Sequence, residues 1–216
     1  AKDYVNEAAV STSKHVSNKG GAELSLGAST TDFATINLSV GGKVGYNHEK
    51  GNATQATKGT LNAENVVVNA DNKTTIAADI AAQNDVKINA KNGVTFTESK
   101  DTVNNVSGGF ELGGSVGVKV VPAAGVVVPI SVGVNANVNY GKKDYSKATG
   151  SNVQAGNDVI VDGGKKVELQ GTNVAAKHDV SIKGNQVVSN SALTTNDEVG
   201  VGVGANVALG LGDNVD

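Results

Sequence analysis

The chain has 216 residues, a formal net charge of −3, 28 Gly, 2 Pro, 3% aromatics and no Cys, Met or Trp. Without Cys it has no disulfide, thiolate nucleophile or Cys-held metal. Its 18 basic residues are all Lys, so it lacks the Arg side chains that make bidentate base and phosphate contacts, and the acidic balance also argues against nucleic acid.

In chain order, residues 1–58 read as a partial repeat containing a Gly-rich hairpin excursion. Within it Ile36, Leu38, Val40, Val44 and Tyr46 fall on one face, with Thr35, Asn37, Ser39, Gly41, Lys43 and Gly45 on the other. Residues 59–149 read as a full repeat unit, with coils over 59–107 and an excursion over 108–149. The coil strands are short: Asn65-Val66-Val67-Val68, Thr75-Ile76-Ala77, Asp85-Val86-Lys87-Ile88 and Val94-Thr95-Phe96-Thr97. Asn92-Gly93 is the clearest turn, since these residues tolerate the positive φ of a tight corner. The excursion has one arm over 112–120, a turn at Val121-Pro122-Ala123-Ala124-Gly125, and a return strand. That strand sets Val126, Val128, Ile130, Val132, Val134, Ala136, Val138 and Tyr140 against Pro129, Ser131, Gly133, Asn135, Asn137 and Asn139. Residues 150–216 read as a second unit, with coils over 150–192 and the start of an excursion over 193–216. Its coil strands are Asp158-Val159-Ile160-Val161, Val167-Glu168-Leu169, Asp179-Val180-Ser181-Ile182 and Gln186-Val187-Val188, with a turn at Gly163-Gly164. In its excursion Val199, Val201, Val203, Ala205, Val207, Leu209 and Leu211 share a face.

These stretches repeat. Val86 recurs as Val180 and Tyr46 as Tyr140, each 94 residues on, while Val66 recurs as Val159, 93 on. A finer period runs inside: Val66 to Val86 is 20 residues and Val159 to Val180 is 21. About twenty residues holding two or three short strands is one coil of a parallel β-helix, each coil lying roughly 4.8 Å from the next. The 35 Val and 25 Asn suit such a stack, with branched side chains in ladders and Asn amides at the corners. No window has helical periodicity. The fold predicted is all-β: a right-handed parallel β-helix with amphipathic hairpin excursions, the hand following the preference of parallel crossovers. Each excursion is expected to fold over a flank of the helix and bury its apolar face there. The rival reading has its alternating strands crossing a bilayer as part of a barrel, but only Tyr46 and Tyr140 offer an aromatic girdle.

Ala155-Gly-Asn-Asp-Val-Ile-Val161 and Ala176-Lys-His-Asp-Val-Ser-Ile182 alternate with excursions such as Val199-Gly-Val-Gly-Val-Gly204. This combination resembles the haemagglutinin repeats of filamentous haemagglutinin-like exoproteins. These are products of two-partner secretion systems in Gram-negative bacteria, among them large adhesins and contact-dependent growth inhibition effectors. The resemblance implies export through an outer-membrane transporter and a secreted, cell-surface stalk that attaches to a receptor on host or neighbouring cells. The alternative it implies is a stalk segment of a toxin-delivery effector whose hairpins contact a target cell's outer membrane. The chain opens in mid-pattern at Ala1 and closes after a strand run, which predicts a piece of something longer.

No catalytic, cofactor-binding or metal residue is assigned, no cofactor is implied, and the binding residues are unknown. His15, His48 and His178 stand far apart, and His178 takes the turn slot held by Asn84 in the matching coil. Asp85, Asp158 and Asp179 recur just before an inward Val, where turn geometry explains a carboxylate that accepts backbone N–H bonds better than catalysis does. An enzyme of the polysaccharide-lyase type would want Arg beside clustered carboxylates, and the chain is not read as an enzyme. Gly113-Gly114 and Gly200-Val-Gly-Val-Gly204 alternate without a following helix or Lys-Ser/Thr, unlike a phosphate loop. Asn37, Asn52, Asn72 and Asn105 match the N-glycosylation pattern as chance allows in such a composition. Lys142-Lys143 and Lys165-Lys166 read as solubilising charges.

Overall fold

A computed structural model of the chain describes residues 1–32, 35–122 and 125–210, and for residues 31, 32 and 126–130 the backbone alone. Ala123 and Ala124 of the expected turn and Leu211 of the third apolar run lie outside the described residues. In chain order β1 (Tyr4–Asn6) precedes two long strands, β2 (Ala9–Asp32) and β3 (Thr35–Thr57). Six short strands follow: β4 (Gly59–Ala63), β5 (Val66–Ala70), β6 (Lys73–Ile76), β7 (Ala78–Ala82), β8 (Val86–Ala90) and β9 (Gly93–Phe96). After the long strands β10 (Ser99–Val121) and β11 (Val126–Thr149) come β12 (Asn152–Ala155), β13 (Val159–Asp162) and β14 (Lys166–Gln170). The last are β15 (Asn173–Ala176), β16 (Val180–Lys183), β17 (Gln186–Asn190) and the long β18 (Thr194–Gly210). The chain divides into two compact units. One is Ala1–Ser13, Asn52–Asn104 and Asp144–Asp197; the other is Lys14–Gly51, Asn105–Lys143 and Glu198–Asp216.

The first unit is a parallel β-helix. Its short strands form three parallel sheets in the orders β1-β6-β9-β14-β17, β15-β12-β7-β4 and β16-β13-β8-β5. Each complete coil takes one strand from each sheet. Val66 pairs with Val86, Val86 with Val159, and Val159 with Val180. The ladder the repeat implied is therefore in register. Its steps are 20, 73 and 21 residues, so the 94-residue self-match spans two coils plus one excursion. Alternate side chains turn inward, so that Val66, Val68 and Ala70 are buried while Val67 and Asn69 are exposed, and Ile76, Val86, Ile88, Val94, Phe96 and Val159 are fully buried. Each such side chain contributes roughly 1.5–3 kcal/mol by leaving water. The β-branched majority stiffens the stack, because little rotamer freedom remains to be lost.

The third sheet, β4-β7-β12-β15, was not legible as strands. It meets the preceding strand with almost no connection: Ala77 alone separates β6 from β7, and Gly171 and Thr172 separate β14 from β15. At the equivalent step from β1 to β4, and again from β9 to β12, the chain inserts a pair of long strands. An excursion therefore leaves after every second coil. The expected Gly163-Gly164 corner has Gly164 at φ 55°, and a Cβ there would run into the Lys91 carbonyl oxygen.

The long strands pair as one five-stranded sheet in the order β18-β11-β10-β3-β2, and the larger part of each lies in the second unit. Neighbours in this sheet run antiparallel: a side chain on Gly41 would meet Ser115, while one on Gly45 would meet Glu111. The strands are 17–24 residues long, beyond the alternating cores read from sequence, because Ser, Thr, Asn and Lys stretches extend the pairing.

Candidate interaction surface

The corners of the β-helix carry Asp85, Asp158, Asp179 and His178, and they are used to join coils. Glu64, Asn84, Asn157 and His178 form one backbone ladder: Asn84 N–H donates to Glu64 O at 2.8 Å, Asn157 N–H to Asn84 O at 2.8 Å, and His178 N–H to Asn157 O at 3.0 Å. His178 thus sits in the slot of Asn84, with its ring exposed. One residue further on, Asp85 N–H donates to Asn65 Oδ1 at 3.2 Å, Asp158 N–H to Asp85 Oδ1 at 3.4 Å, and Asp179 N–H to Asp158 Oδ1 at 3.2 Å. Here each coil's side chain accepts the next coil's backbone donor. Lys87 hydrogen-bonds Asp85 at 3.0 Å and lowers its carboxyl; desolvation pushes the other way, the Asp158 N–H lowers it again, and the net is downward. Asn side chains continue the theme, with Asn89 Nδ2 on Asn69 Oδ1 at 2.9 Å and Asn92 Nδ2 on Asn72 Oδ1 at 2.8 Å.

A clasp that sequence reasoning missed lies on the third sheet. Lys58 Nζ donates to Asp79 Oδ1 at 2.6 Å and to Gly150 O at 2.6 Å, and Asn152 N–H reaches the same Asp79 Oδ1 at 2.8 Å. One carboxylate thereby joins three successive coils beside the points where excursions leave and return. Burial pushes the Asp79 carboxyl up, but the Lys58 bond, the Asn152 N–H and the Lys58 charge outweigh it, and the group ends below its ordinary value. Neither Lys58 nor Asp79 repeats in sequence at this slot, so no periodicity pointed to them.

The other sequence candidates scatter. His48 Nδ1–H shares Asn18 Oδ1 with the Tyr46 hydroxyl, and the Tyr46 contact is 3.0 Å; His15 lies on β2, exposed. Among the described residues no group of three or more His, Cys, Asp or Glu is placed to hold a metal ion. Of the sequon asparagines, Asn72 donates to Asp3 at 2.8 Å and Asn105 to Glu49 at 2.7 Å. Lys166 pairs with Glu168 at 2.7 Å and Lys143 with Glu198 at 3.7 Å. In the Gly-rich runs a side chain on Gly113 would strike Asn135 and one on Gly204 would strike Asn137, whereas Gly200 and Gly202 have open space around them.

The five-stranded sheet departs from expectation. Its apolar faces were expected to be buried, yet Leu38 is 41% exposed, Val134 58% and Val203 67%. Cross-strand contacts show that these residues share one side of the sheet. The Tyr46 and Phe110 rings meet at a 36° tilt with centroids 6.4 Å apart, and the Tyr46 hydroxyl meets Asn18. The opposite side carries Lys43, which contacts Glu23 at 3.2 Å and Glu111 at 3.7 Å. The hydrogen bond to Glu23, then the charge of Glu111, raises the Lys43 pKa. Strict alternation gave the sidedness correctly. What covers an apolar face is a property of the surroundings, and alternation carries no information about it.

Compared with known families, the model of the Hemagglutinin repeat matches residues 1–79, 71–187 and 132–215. No curated protein and no solved structure matches the chain.

Proposed function

The chain belongs to the hemagglutinin-repeat family, and from that premise we propose that it is a structural and adhesive stalk segment of a large secreted surface exoprotein. It would leave a Gram-negative cell through an outer-membrane two-partner secretion transporter and attach to a receptor on host or neighbouring cells. The observation that carries this reading is the unbroken in-register ladder from Val66 through Val86 and Val159 to Val180. It continues across the insertion of an excursion, so load passes from coil to coil through backbone hydrogen bonds rather than through the inserted strands. Each coil advances about 4.8 Å, and many coils in series give reach. The activity is mechanical and distributed over the ladder.

The test is binding of the fluorescently labelled chain to cultured epithelial cells and to Gram-negative cells, read by flow cytometry against unlabelled competitor. Saturable, competed binding is expected on at least one cell type. Signal that unlabelled chain does not compete away on any cell would refute attachment by this segment. The second reading is a segment of a contact-dependent growth inhibition effector that meets the target outer membrane; it draws on the exposed apolar side of the five-stranded sheet. Flotation of the chain with vesicles would support it.

A further inference from the structure

The apolar side of the five-stranded sheet has a shape and extent that reach and attachment do not require. Across the strands run apolar rows, one of Leu26, Val40, Val116, Val132 and Leu209, another of Tyr46, Phe110, Val138 and Val203, all exposed. Between them Gly42 and Gly114 floor an open hollow of about 450 Å³ walled by Leu24, Val44 and Leu112. Among the described residues no charged side chain stands in these rows.

We propose that this face is the docking surface for a second copy of the chain, the two sheets stacking face to face about a two-fold axis. Five strands about 4.8 Å apart and four rows about 6.8 Å apart give a face of roughly 24 by 27 Å, on the order of 650 Å² per copy. A standard stable interface buries roughly 800 Å² per partner. Apolar sheet faces pack on one another at about 10 Å, with interdigitating side chains. A two-fold interface sets the same patch against itself, so a face whose rows are apolar meets one of equal character. Lipid is disfavoured by the strands themselves: the sheet is open at β2 and β18 among the described residues, and unpaired strand edges are not tolerated in hydrocarbon. The inference goes beyond the stalk reading and does not depend on it.

The experiment is sedimentation velocity on the 216-residue chain at micromolar concentration, with two variants on the central strand β10. The native chain is expected at twice its 21.6 kDa mass. Leu112→Lys, on the apolar side, should halve that mass, and Ser115→Lys, on the polar side, should leave it unchanged. Circular dichroism checks that each variant keeps its β signature. Because the chain has no Cys, a second arm is available. Leu112→Cys should give a cross-linked dimer with a short bismaleimide, and Ser115→Cys should not. A native chain that is monomeric at every concentration overturns the proposal, as does a dimer or larger oligomer equally insensitive to both Lys variants. So does a monomer that floats with phosphatidylglycerol vesicles. A monomeric chain that still bound cells would leave the stalk reading standing.

Discussion

Replacing one valine at a time along the ladder of Val66, Val86, Val159 and Val180 measures the stacking directly. Val86 and Val159 are fully buried, each with a coil on either side, whereas Val180 is 47% exposed and has a partner only in Val159. Val→Ala removes two carbons, about 1.6 kcal/mol of transfer free energy at roughly 0.8 per methylene. A partly unrelaxed cavity raises that to about 2–3 kcal/mol inside a close-packed core. Val159→Ala and Val86→Ala should therefore cost about 2–3 kcal/mol each, and Val180→Ala about half as much, since half of its surface is already wet. The assay is urea unfolding followed by circular dichroism, comparing midpoints at a common slope. Ile160→Ala is the control, because Ile160 alternates outward beside Val159. If Val180→Ala is as damaging as Val159→Ala, or if all three valine variants fall within the Ile160 control, the residues do not stack as described and the ladder argument fails.

Further outcomes follow from single contacts. Thr74 occupies an inward slot between Tyr4 and Val94, and its hydroxyl has no partner; Thr74→Val should raise stability by about 1 kcal/mol in the same urea assay. At Asp85 the acceptor matters more than the charge, since Asn65 fills the same role one coil earlier. Asp85→Asn should thus leave the urea midpoint nearly unmoved, and Asp85→Ala should lower it. Gly164→Ala should destabilise the corner by at least about 1 kcal/mol, whereas Gly202→Ala, with open space around it, should be neutral. The Asp79 carboxyl is depressed in the folded chain. Its stabilising contribution is therefore fully present above the unfolded value near pH ~4 and is lost as pH falls through the lower folded value. Urea midpoints measured between neutral and acid pH should show Asp79→Asn losing stability at neutral pH and a shallower acid limb than the native chain.

Two of the three solenoid sheets could be read from the chain because their residues announce themselves. Val66, Val68, Val86, Ile88, Val159 and Val161 alternate cleanly, and Asn or Gly marks their ends. The strand Ala78–Ala82 gives no such signal: alanine favours no face, and Ala77 is too short a connection to look like a turn. The apolar alternation of the excursion strands was legible for the same reason as the first two sheets, since a strict period of two over ten residues is visible locally. Their exposure was not. Neither was the Lys58–Asp79 clasp, which depends on residues 21 positions apart meeting across a sheet that the pattern did not reveal.

The insertion of a strand pair after every second coil has an arithmetical consequence. Two coils lengthen the solenoid by about 9.6 Å, and an outgoing plus a returning strand widen the second unit's sheet by about 9.6 Å as well. Gene duplication or loss in blocks of 94 residues thus adds to or subtracts from both tallies equally. A lone coil gained or lost would alter one tally and leave the other as it was.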